Sequence, residues 1–243
     1  MHPRVPVALQ IGWYLNVNDG GIAFDPPSRF IPQKDPSIAG KGFLSCPAVR
    51  NYFEGIFQIC SPFSLRLRYT EEGKFIRVRP VYPFTSLSES KFSEFITVEP
   101  PDTWRNSHTA TLQFPSPYTF FSDTPATVEQ FHPSLAASTA MNWRVIPGKF
   151  DIYSWQRPLN WGIEWDTNLG DLIIRAGEPQ YFVKFSEPKA DGCPIELIEC
   201  EFTKALEERM KLSRGITGIR KGTVPLMKKA GKLRDGQSLI KKR

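Results

Sequence analysis

The sequence has few of the residues from which metal centres and disulfide frameworks are built. Its 243 residues include four cysteines and three histidines, which are Cys46, Cys60, Cys193, Cys200, His2, His108 and His132. The cysteines form no Cys-x-x-Cys pair, and the histidines are too scattered for a His-x-His or His-x-Glu metal motif. We therefore expect free thiols, no bound metal and no cofactor.

Long apolar runs and enzyme motifs are also missing. No stretch approaches ~18 consecutive apolar residues, which excludes an ordinary membrane-spanning helix. Residues 1–6 lack the apolar core of a signal peptide, so we expect synthesis and residence inside a cell, without secretion or a membrane partner. There is no phosphate-binding loop, no Gly-x-Ser-x-Gly and no His-Glu-x-x-His. The sequence thus favours a non-enzymatic protein and predicts no catalytic residues.

What the chain does contain favours short strands. It has 22 prolines and 18 phenylalanines, and proline is tolerated at strand ends and turns but not inside helices. Turn residues separate apolar runs every eight to twelve positions, as in sandwiches and barrels. The predicted strands are 7–17, 64–69, 75–79, 94–98, 110–114, 118–121, 127–131, 143–146, 150–155, 162–165, 172–175 and 180–185. We predict a mainly β fold for residues 1–194, an antiparallel sandwich or jelly-roll-like domain with few helices. Within it, residues 48–59 have the spacing of a short helix, with a strand as the alternative.

The clearest local element is a β-hairpin around residues 64–79. Apolar and basic residues alternate along both of its runs, so the two sets lie on opposite faces. The apolar face holds Leu65, Leu67, Ile76 and Val78, and the basic face, called here the arginine face, holds Arg66, Arg68, Arg77 and Arg79. Like charges on adjacent strands repel, so this face either binds an acidic partner or is paired with acids such as Glu71 and Glu72.

Four of the six tryptophans fall between residues 143 and 165, with two carboxylates nearby. The residues of interest are Trp155, Trp161, Glu164, Trp165 and Asp166. Two acids beside tryptophans are typical of a glycosidase cleft, where carboxylates flank a stacked sugar. Strand alternation favours the other interpretation, a buried tryptophan core beneath a solvated acidic face. The alternative function is therefore a ligand-binding or carbohydrate-active sandwich.

The C-terminal part differs from the rest in charge and in periodicity. Residues 201–243 contain 13 basic and 4 acidic residues, whereas residues 1–200 contain 18 basic and 21 acidic ones. Ile198, Phe202, Leu206 and Met210 recur every four residues, which predicts a helix over 195–214, followed by a basic arm over 215–243. The basic candidates for interaction in the tail are Lys211, Arg214, Arg220, Lys221, Lys228, Lys229, Lys232, Arg234, Lys241, Lys242 and Arg243.

The arm has two functional interpretations. Its lysines and arginines would bind nucleic acid through salt-sensitive phosphate contacts. However, apolar residues such as Ile216, Val224, Leu226 and Leu239 are interleaved with them, and this suits an arm that lies on another protein subunit. Charge asymmetry of this kind indicates an acidic or anionic partner.

Several short segments resemble an uncharacterised family found in bacteriophages, especially marine phages, and in some bacteria. The resemblance spans roughly residues 10–190 and is carried by Gly12-Trp13-Tyr14, Cys46-Pro47-Ala48-Val49-Arg50, Ser61-Pro62-Phe63-Ser64-Leu65, residues 142–166 and Arg175-Ala176-Gly177-Glu178-Pro179. The family brings no catalytic residues. The resemblance implies a phage-type origin, and with it a structural role in the virion or in infection within the host cytoplasm. The leading hypothesis is thus a phage assembly component whose basic arm docks on a neighbouring subunit.

Overall fold

The protein is mainly β, as the sequence predicts. The computed structural model describes residues 8–16, 22–32, 42–72, 75–134, 136, 141–187, 193–213, 231–232 and 236–243. In these residues the strands are β1 (Leu9–Leu15), β2 (Ser28–Arg29), β3 (Ile56–Cys60), β4 (Leu65–Glu72), β5 (Phe75–Pro80), β6 (Thr97–Val98), β7 (Thr109–Phe114), β8 (Tyr118–Phe121), β9 (Thr127–Phe131), β10 (Trp143–Val145), β11 (Gly148–Asp151), β12 (Trp161–Asp166), β13 (Leu172–Ile174), β14 (Pro179–Ser186) and β15 (Ile195–Glu199). The helices are α1 (Pro47–Phe53), α2 (Glu89–Phe95) and α3 (Lys204–Ser213).

The described strands form four sheets in which antiparallel pairing predominates. Their strand orders are β15-β1-β8, β10-β12-β7-β6, β11-β9-β14-β3-β2 and β13-β4-β5. The one parallel pair among them joins β1 to β15, with Leu9 opposite Ile195 and Trp13 opposite Glu199. This arrangement is consistent with a β-sandwich.

One large apolar core joins the four sheets. Fully buried members come from each of them: Ile11 in β1, Val128 in β9, Leu65 in β4 and Trp165 in β12. Because strand side chains alternate between faces, β1 and β12 contribute every second residue to this core, which are Leu9, Ile11 and Trp13 and Trp161, Ile163 and Trp165. The predicted hairpin is confirmed, with Tyr69 opposite Val78 in the register of β4 and β5.

The structure corrects several predicted elements. Residues 48–59 are half helix and half strand, since α1 ends at Phe53 and β3 begins at Ile56. Of the strand predicted over 94–98, residues 94 and 95 belong to α2 and residues 97 and 98 form β6. The side chain of Ser88 caps α2 by accepting a hydrogen bond from Lys91 N. The strand predicted over 150–155 ends at Asp151, because Asp151 Oδ1 accepts hydrogen bonds from Tyr153 N and Ser154 N in the turn that follows.

The helix predicted from residue 195 begins later. Residues 195–199 form β15 because their backbone completes the sheet beside β1, where Leu9 N donates to Pro194 O. The β-rich body therefore extends past residue 194. Thr203 starts α3, since its hydroxyl accepts a hydrogen bond from Leu206 N. Among the described residues, no helix has the length and apolar character needed to cross a membrane.

Candidate functional site

The last eight residues, 236–243, called here the C-terminal segment, lie against the β-rich body of their own chain. Lys242 forms an antiparallel bridge with Cys200, just after β15. Glu201 N donates to Lys241 O at 2.9 Å, and Arg243 N donates to Glu199 O at 3.0 Å. The end of the chain thus pairs with the stretch that links β15 to α3.

Asp123 holds the same segment from the opposite side. This residue lies in the turn between β8 and β9, and its carboxylate accepts three hydrogen bonds from the segment. The donors are Ser238 Oγ at 2.6 Å, Leu239 N at 2.7 Å and Ile240 N at 3.2 Å. Hydrogen bonds to a charged acceptor are stronger than neutral ones, so this carboxylate fixes the position of the segment.

An apolar contact completes the attachment. Leu239 is 2% exposed and packs in a small cluster, separate from the main core, with Phe121, Cys200, Leu206 and Met210. Burial raises the pKa of the Cys200 thiol, which is consistent with a packing role for this cysteine. We call the surface formed by Asp123, Glu199, Glu201 and this cluster the docking site.

Several of the predicted tail residues have partners within the chain. Lys211 pairs with Glu207 at 2.7 Å along α3, as the four-residue spacing predicts. Lys241 pairs with Glu201 at 2.6 Å, and Arg243 pairs with Glu199 at 2.9 Å. Lys232 and Lys242 are exposed. The predicted residues Arg214, Arg220, Lys221, Lys228, Lys229 and Arg234 lie outside the described residues.

Sequence reasoning did not identify Asp123 as the partner of the C-terminal segment. A single aspartate in a Ser-Asp-Thr-Pro turn carries no signal for a contact more than a hundred residues away. The pair Leu239-Ile240 was the pattern from which docking of this segment could have been predicted. Two adjacent apolar residues in a strongly basic tail indicate that this part of the tail is buried.

Two residues of the arginine face, Arg66 and Arg68, share one acidic partner. Arg66 Nε donates to Asp171 Oδ2 at 2.7 Å, and Arg68 donates to both oxygens of the same carboxylate. The hydrogen bond from Arg68, reinforced by Arg66, lowers the pKa of Asp171. Arg79 lies opposite Arg68 in the register and is exposed, as is Arg77.

The acid that pairs with Arg66 and Arg68 is Asp171, which the sequence did not indicate. Glu71, which sequence reasoning offered as a partner, accepts a hydrogen bond from the Tyr69 hydroxyl. Asp171 comes instead from the turn before β13, which pairs with β4. The face therefore has two arginines bound to a carboxylate and two exposed at its outer strand.

The tryptophans and carboxylates of the proposed cleft do not share one surface. Trp161 and Trp165 are buried in the core, whereas Glu164 and Asp166 alternate with them and point the other way. Glu164 accepts two hydrogen bonds from Arg105, at 2.7 and 3.0 Å. Asp166 caps a short 3-10 helix through Asn168 N. Trp155 is half-buried and lines a separate pocket.

The comparisons with known proteins assign the chain to no family. No protein-family model matches it, and a search of curated proteins finds no significant match. Within the described residues, no group of three or more His, Cys, Asp or Glu side chains is placed to hold a metal ion.

Proposed function

We propose that this protein is a non-enzymatic structural protein that assembles with other copies of itself through its C-terminal arm. The receiving surface on each copy would be the docking site. The observation that supports this most is the attachment of residues 236–243 by a backbone bridge, a carboxylate with three donors and a buried leucine. With this many contacts, the eight residues of the C-terminal segment are sufficient by themselves to recognise the docking site.

The same contacts can form between copies. The C-terminal segment is separated from α3 by residues 214–235, called here the basic segment, and 22 residues can span at most about 70 Å. Exchange of an identical terminal segment between subunits needs no new contact, because each docking site is filled in the same way by a neighbour. High local concentration, as in an assembling particle, favours exchange over the intramolecular arrangement.

Charge supports another copy as the partner. The basic segment has seven basic residues and one acid, Asp235, whereas residues 1–200 carry three more acids than bases. The body of one copy is thus complementary to the basic segment of another, and such complementarity speeds and orients association. The resemblance to a bacteriophage family supports a virion component, assembled in the host cytoplasm, as the setting.

The first test is the mass of the full-length protein by light scattering over a range of concentrations. We expect association that increases with concentration and weakens with salt. Asp123→Ala removes the acceptor of three hydrogen bonds and should weaken association at least tenfold. Asp102→Ala is the matched control, because Asp102 is an exposed acid in the loop before β7 and outside the docking site.

A mixing experiment separates exchange from other modes of association. Asp123→Ala retains an intact C-terminal segment, and Leu239→Ala retains an intact Asp123 carboxylate. Each variant alone should be monomeric, and their mixture should form a heterodimer because the intact segment of one meets the intact docking site of the other. Wild-type protein that stays monomeric at all concentrations would rule out the proposal.

Nucleic acid is the alternative partner. A second pair of variants distinguishes binding to nucleic acid from assembly with other copies of the protein. The first variant replaces Arg214, Arg220 and Lys228 of the basic segment by Gln, which lowers the net charge from +6 to +3. The second variant, the control, replaces Arg50, Arg175 and Lys204 outside that segment by Gln and has the same net charge. A monomeric protein that binds DNA with a steep salt dependence, lost only in the first variant, would establish nucleic-acid binding instead.

A further inference from the structure

A pocket of about 410 Å³ lies beside the turn that follows β11 and shares no lining residue with the docking site. Its lining combines two aromatic rings, one aliphatic side chain, two side-chain amides and one guanidinium, which belong to Phe150, Trp155, Leu159, Gln113, Asn160 and Arg157. The size suits a small molecule, and the mixture of apolar wall and few polar groups is typical of ligand sites.

Arg157 is the cation among the residues that line this pocket. Its side chain is half-buried, and its Nε donates to Pro158 O at 3.2 Å. Among the described residues, no carboxylate lies within ion-pair distance of its guanidinium. Burial lowers the pKa of Arg157, since the charged form loses hydration with no acid to compensate for it. A partly desolvated arginine of this kind is stabilised by any anion that enters the pocket.

The guanidinium of Arg157 lies over the indole of Trp155. Its Cζ is 5.0 Å from the centroid of the Trp155 ring, within the range of a cation–π contact. The hydrogen-bonding N–H groups of a guanidinium point outward in its plane, and Nε already has an acceptor. The terminal nitrogens therefore present the fork that carboxylates bind with two parallel hydrogen bonds.

Trp155 contributes a second unsatisfied donor. Its indole Nε1 is buried and has no hydrogen-bond partner within the described part of the chain. Buried indole N–H groups usually find an acceptor, and leaving one unpaired costs about 1–3 kcal/mol. Two donors without acceptors therefore belong to adjacent side chains that line the same pocket.

We propose that this pocket binds a small organic monocarboxylate, with Arg157 as its anchor. The aromatic and aliphatic walls, Phe150 and Leu159, contact the apolar part of the ligand, and the amides of Gln113 and Asn160 orient it. A single guanidinium matches a single negative charge, whereas a phosphate dianion generally requires more cationic or backbone donors. None of the residues that line this pocket belongs to the docking site.

The test uses full-length protein labelled with ¹⁵N, in which each of the six tryptophans gives one indole N–H signal. Trp155→Phe assigns the signal of Trp155. Sodium benzoate and inorganic phosphate are titrated separately at constant ionic strength. We expect benzoate to shift the Trp155 signal with a dissociation constant of about 1 mM, the range for a ligand with one charged anchor.

Variants at Arg157 show whether the guanidinium is the anchor. Arg157→Gln should abolish the benzoate shift, and Arg157→Lys should weaken binding about tenfold, because an ammonium keeps the charge but loses the fork. Arg175→Gln is the matched control, since Arg175 is an exposed arginine outside the pocket. Unchanged signals from the other tryptophans verify that each variant is folded.

Thermal unfolding gives an independent measurement. Benzoate should raise the melting temperature of the wild-type protein and leave that of Arg157→Gln unchanged, because a ligand stabilises only the state that binds it. A Trp155 signal that benzoate does not move, or moves equally in Arg157→Gln, would overturn the proposal. A response to phosphate without one to benzoate would overturn the assigned ligand class.

Discussion

His132 shows how a single polar side chain supports a neighbouring strand. Its Nδ1 accepts a hydrogen bond from Val145 N at 3.3 Å, and its ring meets Trp143 edge-on, with centroids 5.5 Å apart. His132 is thus a hydrogen-bonded residue just after β9. Accepting at Nδ1 requires that nitrogen to be unprotonated, so the fold holds this imidazole in its neutral form.

This arrangement predicts a stability that depends on pH. Burial, aided by the charge of Arg144, lowers the pKa of His132 from its ordinary value of 6.5. The unfolded chain therefore binds a proton before the folded chain does, and the free energy of unfolding decreases as the pH falls below about 6.5. The decrease cannot exceed about 1.4 kcal/mol per pH unit for one proton. Urea unfolding at pH 7.5 and 5.5 measures it.

Two variants isolate the contribution of His132 from that of the acidic groups. His132→Asn keeps an acceptor for Val145 N but cannot titrate, so its stability should change less with pH in this range. His108→Asn removes an exposed histidine and should retain the wild-type dependence. Equal pH dependence in His132→Asn and wild type would contradict this account.

The C-terminal segment has a small apolar attachment. It buries Leu239, with Ile240 partly buried beside it, in a small cluster, whereas β1, β12 and β14 each contribute three residues to the main core. Local opening is governed by the number of such contacts, so this element should open more readily than the sheets.

Leu239→Ala is expected to release this segment without unfolding the body. The lost apolar burial should cost about 2 kcal/mol, at the low end for leucine because the cluster lies near the surface. Amide exchange at Glu201, which donates to Lys241 O, should then be faster, while exchange in β7 and β12 should be unchanged. Lys242→Ala, at an exposed position, serves as the control. Unaltered exchange at Glu201 would show that the backbone contacts alone hold the segment.

In the whole molecule, the shared core couples the four sheets. The main core contains residues from every sheet, and Phe121 links β8 to the cluster under α3. A division at residue 194 into separately folding parts conflicts with this arrangement, since β15 pairs with β1 at the other end of the chain.

We therefore expect the β-rich body and α3 to unfold in one cooperative transition. Tryptophan fluorescence and far-ultraviolet circular dichroism should give the same urea midpoint. Trp165→Ala should lower the free energy of unfolding by about 3–5 kcal/mol, because it empties the largest fully buried side chain of the core. Leu169→Ala, at a residue that is 68% exposed, should change it little. Separate midpoints for the two probes would reveal independent folding units.

Local patterns in the sequence predicted a large part of this molecule. The hairpin of β4 and β5, the burial of Trp161 and Trp165, and the buried face of α3 at Leu206 and Met210 all follow from side-chain periodicity. The mainly β class follows from composition and from the spacing of turns. These features depend on residues close together in the chain, so the sequence determines them directly.

Only the tertiary structure decided which distant segments meet. Residues 195–199 continue a helical period, yet they form a strand because β1 offers unpaired backbone beside them. Asp171 neutralises the arginine face, and Asp123 holds the C-terminal segment, each across more than a hundred residues. No local pattern encodes such contacts, because they arise when the packing of the whole core brings two surfaces together. The docking site exists for this reason, whereas five of the six residues that line the pocket of Arg157 lie within residues 150–160.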